Sequence, residues 1–398
     1  MKKINFFLRR IKNFYHLLQA IIANIIYGFP AKNIRVIGVT GTDGKTTTTT
    51  LIAHILKKLG KKVSFISTIE AQIGDKKYET GLHVTTPSSL MIQKFLRQAV
   101  VEKNEFFVLE VTSHGLDQNR VWGINFEIGV ITNITHEHLD YHQSYKEYVK
   151  TKEKLISMAK IGVIKRKDDS YRFLSLASKK KCQDYSKNLP IIEKHFPYLT
   201  QFNKDNFAAA YTVGIILGLK DEKIIQAAKT FKLPRGRFQI VYDKEFRVIV
   251  DFAHTPNAFK VLLPEVRKKY LSVGRLIHVF GCAGLRDYVK RPLMGQISSQ
   301  YSDYLILTEE DYRTEDFKKI CQQIIEGIKN KPYEVIKDRQ AAINKAIRMA
   351  KKGDTVLITG KAHEKSLCRG KKEYPWDEFK AINHALKILL KSKGNDSL

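Results

Sequence analysis

Residues 38–46 read Gly-Val-Thr-Gly-Thr-Asp-Gly-Lys-Thr. A glycine-rich turn that ends in Lys-Thr, set between a β-branched run and a helical pattern, has the chemistry of a phosphate cradle. Backbone N–H groups of the loop and of the helix start surround phosphate oxygens. Lys45 adds a point charge, and the Thr46 hydroxyl is offered to Mg²⁺. The spacing departs from the usual Gly-x4-Gly-Lys-Ser/Thr, because the residue five before Gly44 is Val39 and the neighbouring glycines are Gly38 and Gly41. The loop is therefore a variant. Thr46 to Thr50 are poor helix formers, so tertiary contacts or a ligand must hold that helix start.

Three further clusters could carry chemistry. Glu110 closes the apolar run Phe106–Val111, the strand end at which parallel sheets place ligand groups, and a carboxylate there suits a metal bridging nucleotide phosphates. Ser113 to Arg120 pack many polar side chains into one turn. A Ser beside a His suggests a hydrolase, but adjacent residues rarely point at each other and no Gly-x-Ser-x-Gly elbow is present, so a catalytic triad is rejected. His138 and His142 have the i, i+4 spacing of a zinc site, yet Leu139 stands where the metalloprotease glutamate would be. The zinc-protease reading is weak.

These residues need a scaffold that presents them at one edge. From Arg35 onward short β-branched runs alternate with helical patterns, which predicts an α/β fold with parallel sheets. Arg35–Val39, Val63–Ser67, Phe106–Val111 and Ile128–Thr132 read as strands, with helices after Gly44, Pro87 and Ser144. The stretch from Asp168 to Pro197 reads as polar and irregular; Asn203 to Leu219 and Asp221 to Phe231 read as helices. Leu233 to Arg237 interrupts the pattern, and a second series follows: Arg247–Asp251, Leu276–Gly281, Tyr304–Thr308 and Thr355–Thr359. The boundaries expected are 1–33 for an N-terminal helical segment, 34–232 for a nucleotide-binding domain and 233–398 for a second α/β domain.

The chain has 398 residues, 43% apolar and 10% aromatic, enough to fill more than one core and to exclude wholesale disorder. Four separated cysteines without a Cys-x-x-Cys pair argue against a zinc knuckle and a disulfide framework, and fit a reducing cytosol. Lys plus Arg number 69 against 40 Asp plus Glu, formally +29. Such a field favours anionic partners such as nucleic acid, phosphorylated metabolites or a membrane face. A composition rich in Lys, Ile and Asn gives the same excess, and no nucleic-acid recognition motif accompanies it. No acidic residue precedes Asp43, while Lys2, Lys3, Arg9, Arg10, Lys12, Lys32 and Arg35 are basic. Phe14 to Phe29 is broken by His16, Gln19 and Asn24, so it falls short of the roughly 20 apolar residues a spanning helix needs. Residues 1–33 read as a basic amphipathic helix that lies on the membrane or docks on the body of the protein.

Taken together, Thr40–Thr46, Glu110 with Ser113–Leu116, and His138–His142 resemble the Mur ligases of peptidoglycan synthesis. Asp251-Phe252-Ala253-His254-Thr255-Pro256 and Lys290–Gly295 resemble the MurE-like branch, which adds the third stem-peptide residue. The resemblance runs from about residue 34 to the end. It implies a central P-loop parallel-sheet ATPase domain followed by a Rossmann-like C-terminal α/β domain. It also implies ATP-dependent amide formation through an acyl phosphate, with ATP and two Mg²⁺ ions as cofactors. By the same resemblance Gly41, Thr42, Asp43, Gly44, Lys45, Thr46 and Thr47 bind the phosphates, and Asn206, beside Asn203, lies near the adenine. Arg237, Asp251 and His254 reach the nucleotide from the C-terminal domain, which is expected to swing to close the site. Thr46, Glu110 and His138 hold metal, and Lys152, fourteen residues after His138, falls where the family has a carbamylated lysine.

For the muramoyl-peptide acceptor the resemblance implies Thr85, Thr86, Thr112, Gln118 and Arg120, with Thr112 where the family usually has Ser. For the incoming amino acid it implies Asp311, Arg313, Gly360 and Glu364. The family's Asp-Asn-Pro-Arg corresponds to Glu310-Asp311-Tyr312-Arg313, and the retained Arg313 can clamp a carboxylate bidentately. That leans towards meso-diaminopimelate over lysine as the added diamino acid. Family members carry an N-terminal UDP-binding domain of about one hundred residues. About 33 residues precede the first strand here, so the usual uridine site is expected to be missing. A monomer in the cytoplasm, or at the inner face of the membrane, is expected, with no nucleic-acid partner. A second reading keeps the ligase chemistry on a lipid-linked, polyglutamate-like or cyanophycin-like acceptor. A non-catalytic scaffold is disfavoured by Lys45, Thr46, Glu110, His138 and Lys152 together.

Overall fold

The computed structural model describes residues 2–78, 85–135, 142, 144–271 and 273–395. The chain divides into two compact units after Pro234.

In the first unit, eight strands form one sheet: β1 (Arg35–Thr40), β2 (Val63–Ile66), β3 (Ala71–Ile73), β4 (Lys76–Tyr78), β5 (Phe106–Glu110), β6 (Phe126–Ile131), β7 (Ala159–Ile164) and β8 (Cys182–Asp184). Their order is β4-β3-β2-β5-β1-β6-β7-β8, parallel except for the β2-β3-β4 hairpins. β1 and β5 are buried along nearly their whole length, because helices cover both faces of the sheet. The alternation along a strand sends Ile37 and Val39 to one face, against Leu51 and Ile55 of α2 (Lys45–Lys58) and against Phe207. Val36, Phe107 and Leu109 go to the other face, against Ile92 and Leu96 of α3 (Ser89–Val101). Truncating a fully buried ring such as Phe107 to Ala would cost about 4 kcal/mol. β1 has β5 on one side and β6 on the other, so the loop leaving β1 emerges where the strand order reverses, the crevice such sheets use for ligands.

Every strand expected in this unit is present, but the regular structure is richer than the sequence pattern indicated. Lys160 and Gly162 interrupt the apolar run of β7, and only Cys182 of β8 is buried, so neither strand carries a clear period. The region from Asp168 to Pro197, read as irregular, contains β8 and helices at Leu176–Lys180 and Leu189–His195. The N-terminal segment is a helix, α1 (Lys2–Tyr27), which packs on α3. Ala20, Ala23 and Asn24 are fully buried there.

The second unit holds a six-stranded sheet in the order β13-β12-β11-β14-β10-β9. Its strands are β9 (Gln239–Asp243), β10 (Arg247–Asp251), β11 (Leu276–Phe280), β12 (Tyr304–Leu307), β13 (Tyr333–Val335) and β14 (Thr355–Thr359). All pairs are parallel except β9 with β10. Val248, Val250, Ile277, Val279 and Ile358 pack against Ile343 and Ile347 of one covering helix and Ile382 of another. A separate hairpin, β15 (Ser366–Arg369) with β16 (Lys372–Pro375), follows β14.

Candidate active site

In the first unit the parallel register sets Val39 opposite Glu110, so the loop after β1 and the end of β5 share one sheet edge. The loop is clasped from the end of β6. Thr42 N–H donates to the Asn133 carbonyl (2.8 Å), Asp43 N–H to Asn133 Oδ1 (3.0 Å), and Thr132 Oγ1 to the Asp43 carbonyl (2.6 Å). Gly44 caps α2 with a left-handed φ of 80°, and a Cβ there would lie 2.1 Å from Asn206 Oδ1, so both conformation and space demand glycine. Thr48 Oγ1 bonds the same Asn206 oxygen (3.3 Å), and Asn206 reaches Asn203 (3.4 Å). The threonine-rich start of α2 is thus held by tertiary contacts, with Thr46, Thr47, Thr48 and Thr49 all buried.

Glu110 is 1% exposed and accepts three hydrogen bonds, from Thr68 N–H (2.8 Å), Thr68 Oγ1 (2.8 Å) and Thr46 Oγ1 (3.1 Å). Two hydroxyls and a carboxylate make an all-oxygen donor set, the kind a hard cation such as Mg²⁺ takes, so these residues fit the metal that the loop implies. Lys45 Nζ bonds the carbonyls of Thr42 (2.7 Å) and Gly41 (3.1 Å). Lys152, buried on α5 (Tyr145–Met158), also donates to the Gly41 carbonyl (2.6 Å), and its Nζ lies 4.7 Å from the centroid of the Tyr148 ring. Two ammonium groups thus converge on one carbonyl of the phosphate loop. The His142 ring packs on Tyr148 at 5.1 Å. His138 lies outside the described residues.

The residues expected at the acceptor are contiguous with this centre. Thr68 Oγ1 links Glu110 to Thr85 Oγ1 (3.1 Å). Thr86 Oγ1 bonds the Glu110 carbonyl (3.2 Å) and the Thr112 hydroxyl (3.1 Å). Thr112 caps the short helix α4 (Ser113–Asp117), accepting from Gly115 N–H (3.0 Å). Arg120 donates to the Thr86 carbonyl (2.6 Å) and, through Nε and Nη2, to Gln118 Oε1 (2.9 and 2.6 Å). Thr85, Thr86, Thr112, Gln118 and Arg120 therefore form one connected patch beside Glu110.

In the second unit, Asp251 at the end of β10 accepts from Phe238 N–H and Ala253 N–H, each at 2.7 Å. The Arg237 guanidinium lies over the Phe252 ring (4.7 Å), and the His254 and His363 rings pack on the same ring (4.8 and 4.6 Å). Burial, reinforced by the Arg237 charge, pushes His363 down to about 3. Arg237, Asp251 and His254 are thus neighbours around Phe252.

The residues expected at the amino acid form a charged cluster. Lys361 has no exposed side-chain surface and pairs with Asp311 (2.7 Å) and Glu364 (2.5 Å). Burial alone would lower its pKa, but the two carboxylates outweigh that and hold it above the ordinary lysine value. Asp311 gives this ammonium a second negative partner beside Glu364. Arg313 adopts a left-handed φ of 53°, held by bonds from its N–H to Cys368 and from Gly370 to its carbonyl, and its Nη1 donates to the Gly284 carbonyl (2.7 Å). Gly360, at φ 105°, leaves open the space where a Cβ would come 3.0 Å from Glu310 Oε2. Glu310 is 7% exposed, and that oxygen has no hydrogen-bond partner among the described residues.

Sequence reasoning missed Thr68, Thr132, Asn133 and Lys361. The first three sit one or two residues past a strand end, the only signal they offered; Lys361 stands inside a motif read for its flanking residues.

Comparison with known proteins agrees with this geometry. Residues 39–214 match the Mur ligase middle domain, and residues 236–362 match the Mur ligase, glutamate ligase domain. The UDP-N-acetylmuramoyl-L-alanyl-D-glutamate--2,6-diaminopimelate ligase of Clostridium botulinum is 36% identical over 396 residues, covering 92% of this chain and 81% of its own. That of Aquifex aeolicus is 36% identical over 389 residues, covering 92% and 80%. Among solved structures, a ligase of the same description is 27% identical, with a TM-score of 0.58 over 89% of this chain and 78% of its own. E. coli FolC in complex with DHPP and ADP is 18% identical, a likeness of fold, with a TM-score of 0.66 over 95% and 94%. The chain belongs to the Mur ligase family of ATP-dependent acid–amino-acid ligases.

Proposed function

We propose that this ligase adds a diamino acid, meso-diaminopimelate in preference to lysine, to the D-glutamate carboxylate of a UDP-linked muramoyl dipeptide. The observation that carries the reading is the continuity from Thr46 through Glu110 and Thr68 to Thr85, Thr86 and Thr112. It joins the hydroxyl at the start of α2, a buried carboxylate and the hydroxyls expected at the acceptor in one hydrogen-bonded line.

In this reading an acceptor carboxylate oxygen attacks the γ-phosphorus of ATP, and ADP leaves. The amine nitrogen then attacks the acyl carbon, inorganic phosphate leaves and the nitrogen gives up its proton. The protein's part is positioning and charge stabilisation. The loop N–H groups and Lys45 hold the phosphates, and Gln118 and Arg120 fix the acceptor. Mg²⁺, held by Thr46 and Glu110, would neutralise charge building on the transferred phosphoryl group. Lys152 as a carbamate would bring a negative charge to the Gly41 carbonyl region in place of a second ammonium near Lys45. In the second unit, Arg313 offers the far carboxylate a guanidinium, and Asp311 with Glu364 offers the far ammonium negative charge. Lysine lacks that carboxylate, which is the ground for preferring diaminopimelate.

The test is product mass. Incubation with ATP, Mg²⁺, the UDP-linked dipeptide and an equimolar mixture of meso-diaminopimelate and L-lysine should yield the diaminopimelate tripeptide in excess. A lysine product in excess would overturn the specificity, and no tripeptide at all would overturn the acceptor.

A further inference from the structure

Helix α1 turns an apolar face to solvent. Phe14, Tyr15, Leu18, Ile22, Ile25 and Ile26 are 42% to 63% exposed, and their spacing by three and four places them in one stripe. The opposite face is fastened to the first unit: Ala20, Ala23 and Asn24 are fully buried, Asn24 Nδ2 donates to the Trp122 carbonyl (3.0 Å), and Asn13 Nδ2 donates to Asp117 Oδ2 (3.1 Å). The stripe therefore belongs to a docked helix with one side left over. Single exposed apolar residues are ordinary, but six in a row along one helix mark an interaction surface.

Charge identifies the partner. The first 33 residues contain six Lys or Arg and no Asp or Glu, within a chain of formal net charge +29. A second copy of this chain would set like charge against like. An anionic lipid surface offsets it while taking the apolar side chains into its acyl boundary. No helix among the described residues is long and apolar enough to cross a membrane, so such a helix lies in the interface plane. We propose that the Phe14–Ile26 stripe of α1 docks this protein on anionic membranes. The proposal does not rest on the ligase reading, since it is read without ATP or substrate.

The test is flotation of the full chain with vesicles of phosphatidylglycerol and phosphatidylcholine, against vesicles of phosphatidylcholine alone. Binding should be at least about tenfold stronger to the anionic vesicles and should weaken as salt is raised. The double substitution Leu18→Asp with Ile22→Asp, on exposed positions, should reduce that binding by about tenfold or more with the thermal midpoint unchanged. Should that variant melt early, the comparison of vesicle compositions on the wild-type chain decides alone. Wild-type protein that fails to float with anionic vesicles, or that floats equally with neutral ones, would overturn the proposal. So would a dimer seen by light scattering that the double substitution dissolves, which would assign the stripe to a second copy.

Discussion

At residues 41–46 the first unit positions its polar groups with backbone amides and short hydroxyls, whereas at residues 309–313 the second unit does so with buried ion pairs. The phosphate loop is clasped by Thr132 and Asn133 and leaves no room for a side chain at Gly44. The charged cluster around Lys361 depends on the balance of Asp311, Glu364 and their neighbours. A backbone cradle tolerates little change in residue type, because its shape is set by glycine conformation and strand ends. An ion-pair cluster can exchange members while charge is conserved.

The comparison can be tested from both ends. Lys45→Ala or Glu110→Gln should lower kcat/KM by about a hundred- to a thousandfold, since each removes one charge-stabilising group. Less than a tenfold loss in steady-state phosphate release would place the chemistry elsewhere. Lys152→Ala should lose about a hundredfold in activity, and chloride or formate should restore part of it if a carbamate anion acts there. Full activity of that variant would remove the carbamate from the account.

In the second unit, His278 is fully buried between Ser298 Oγ (2.8 Å) and Thr359 Oγ1 (3.1 Å), and burial lowers its pKa from 6.5 to about 3. The unfolded chain takes up a proton that the folded chain refuses, so its contribution is complete above about pH 6.5 and is lost as pH falls towards 3. By pH 5 the loss should reach about 2 kcal/mol. Urea midpoints measured from pH 7 to 5 should therefore fall more steeply for the wild-type chain than for His278→Gln. Equal slopes would contradict the buried neutral imidazole. The smallest effect expected is that of Arg313→Lys, which keeps the charge but loses the planar fork. KM for diaminopimelate should rise about tenfold with kcat little changed.

How much of this could be read beforehand differs between the same two regions. All eight strands inferred from β-branched runs are present, because a strand buried on both faces announces itself by apolar continuity. The other eight strands were not inferred; among them β4, β13 and β16 are short edge or hairpin strands without a fully buried residue. Gly41 to Thr46 and Glu110 could be read from type and spacing. Thr68 and Asn133 could not, because single polar residues after a strand become partners only when the sheet assembles. Lys361 is clearer still: nothing in its sequence neighbourhood reveals that a lysine will be fully buried, and its pairing with Asp311 and Glu364 emerges only in the fold.

In the reaction proposed, phosphate transfer is coupled to joining a diamino acid to a muramoyl dipeptide. Phosphate release measured with ATP, Mg²⁺ and the UDP-linked dipeptide, with and without meso-diaminopimelate, tests it most directly. Sustained release is expected only when dipeptide and diaminopimelate are both present. Release that ignores the amino acid, or none with the complete mixture, would contradict it.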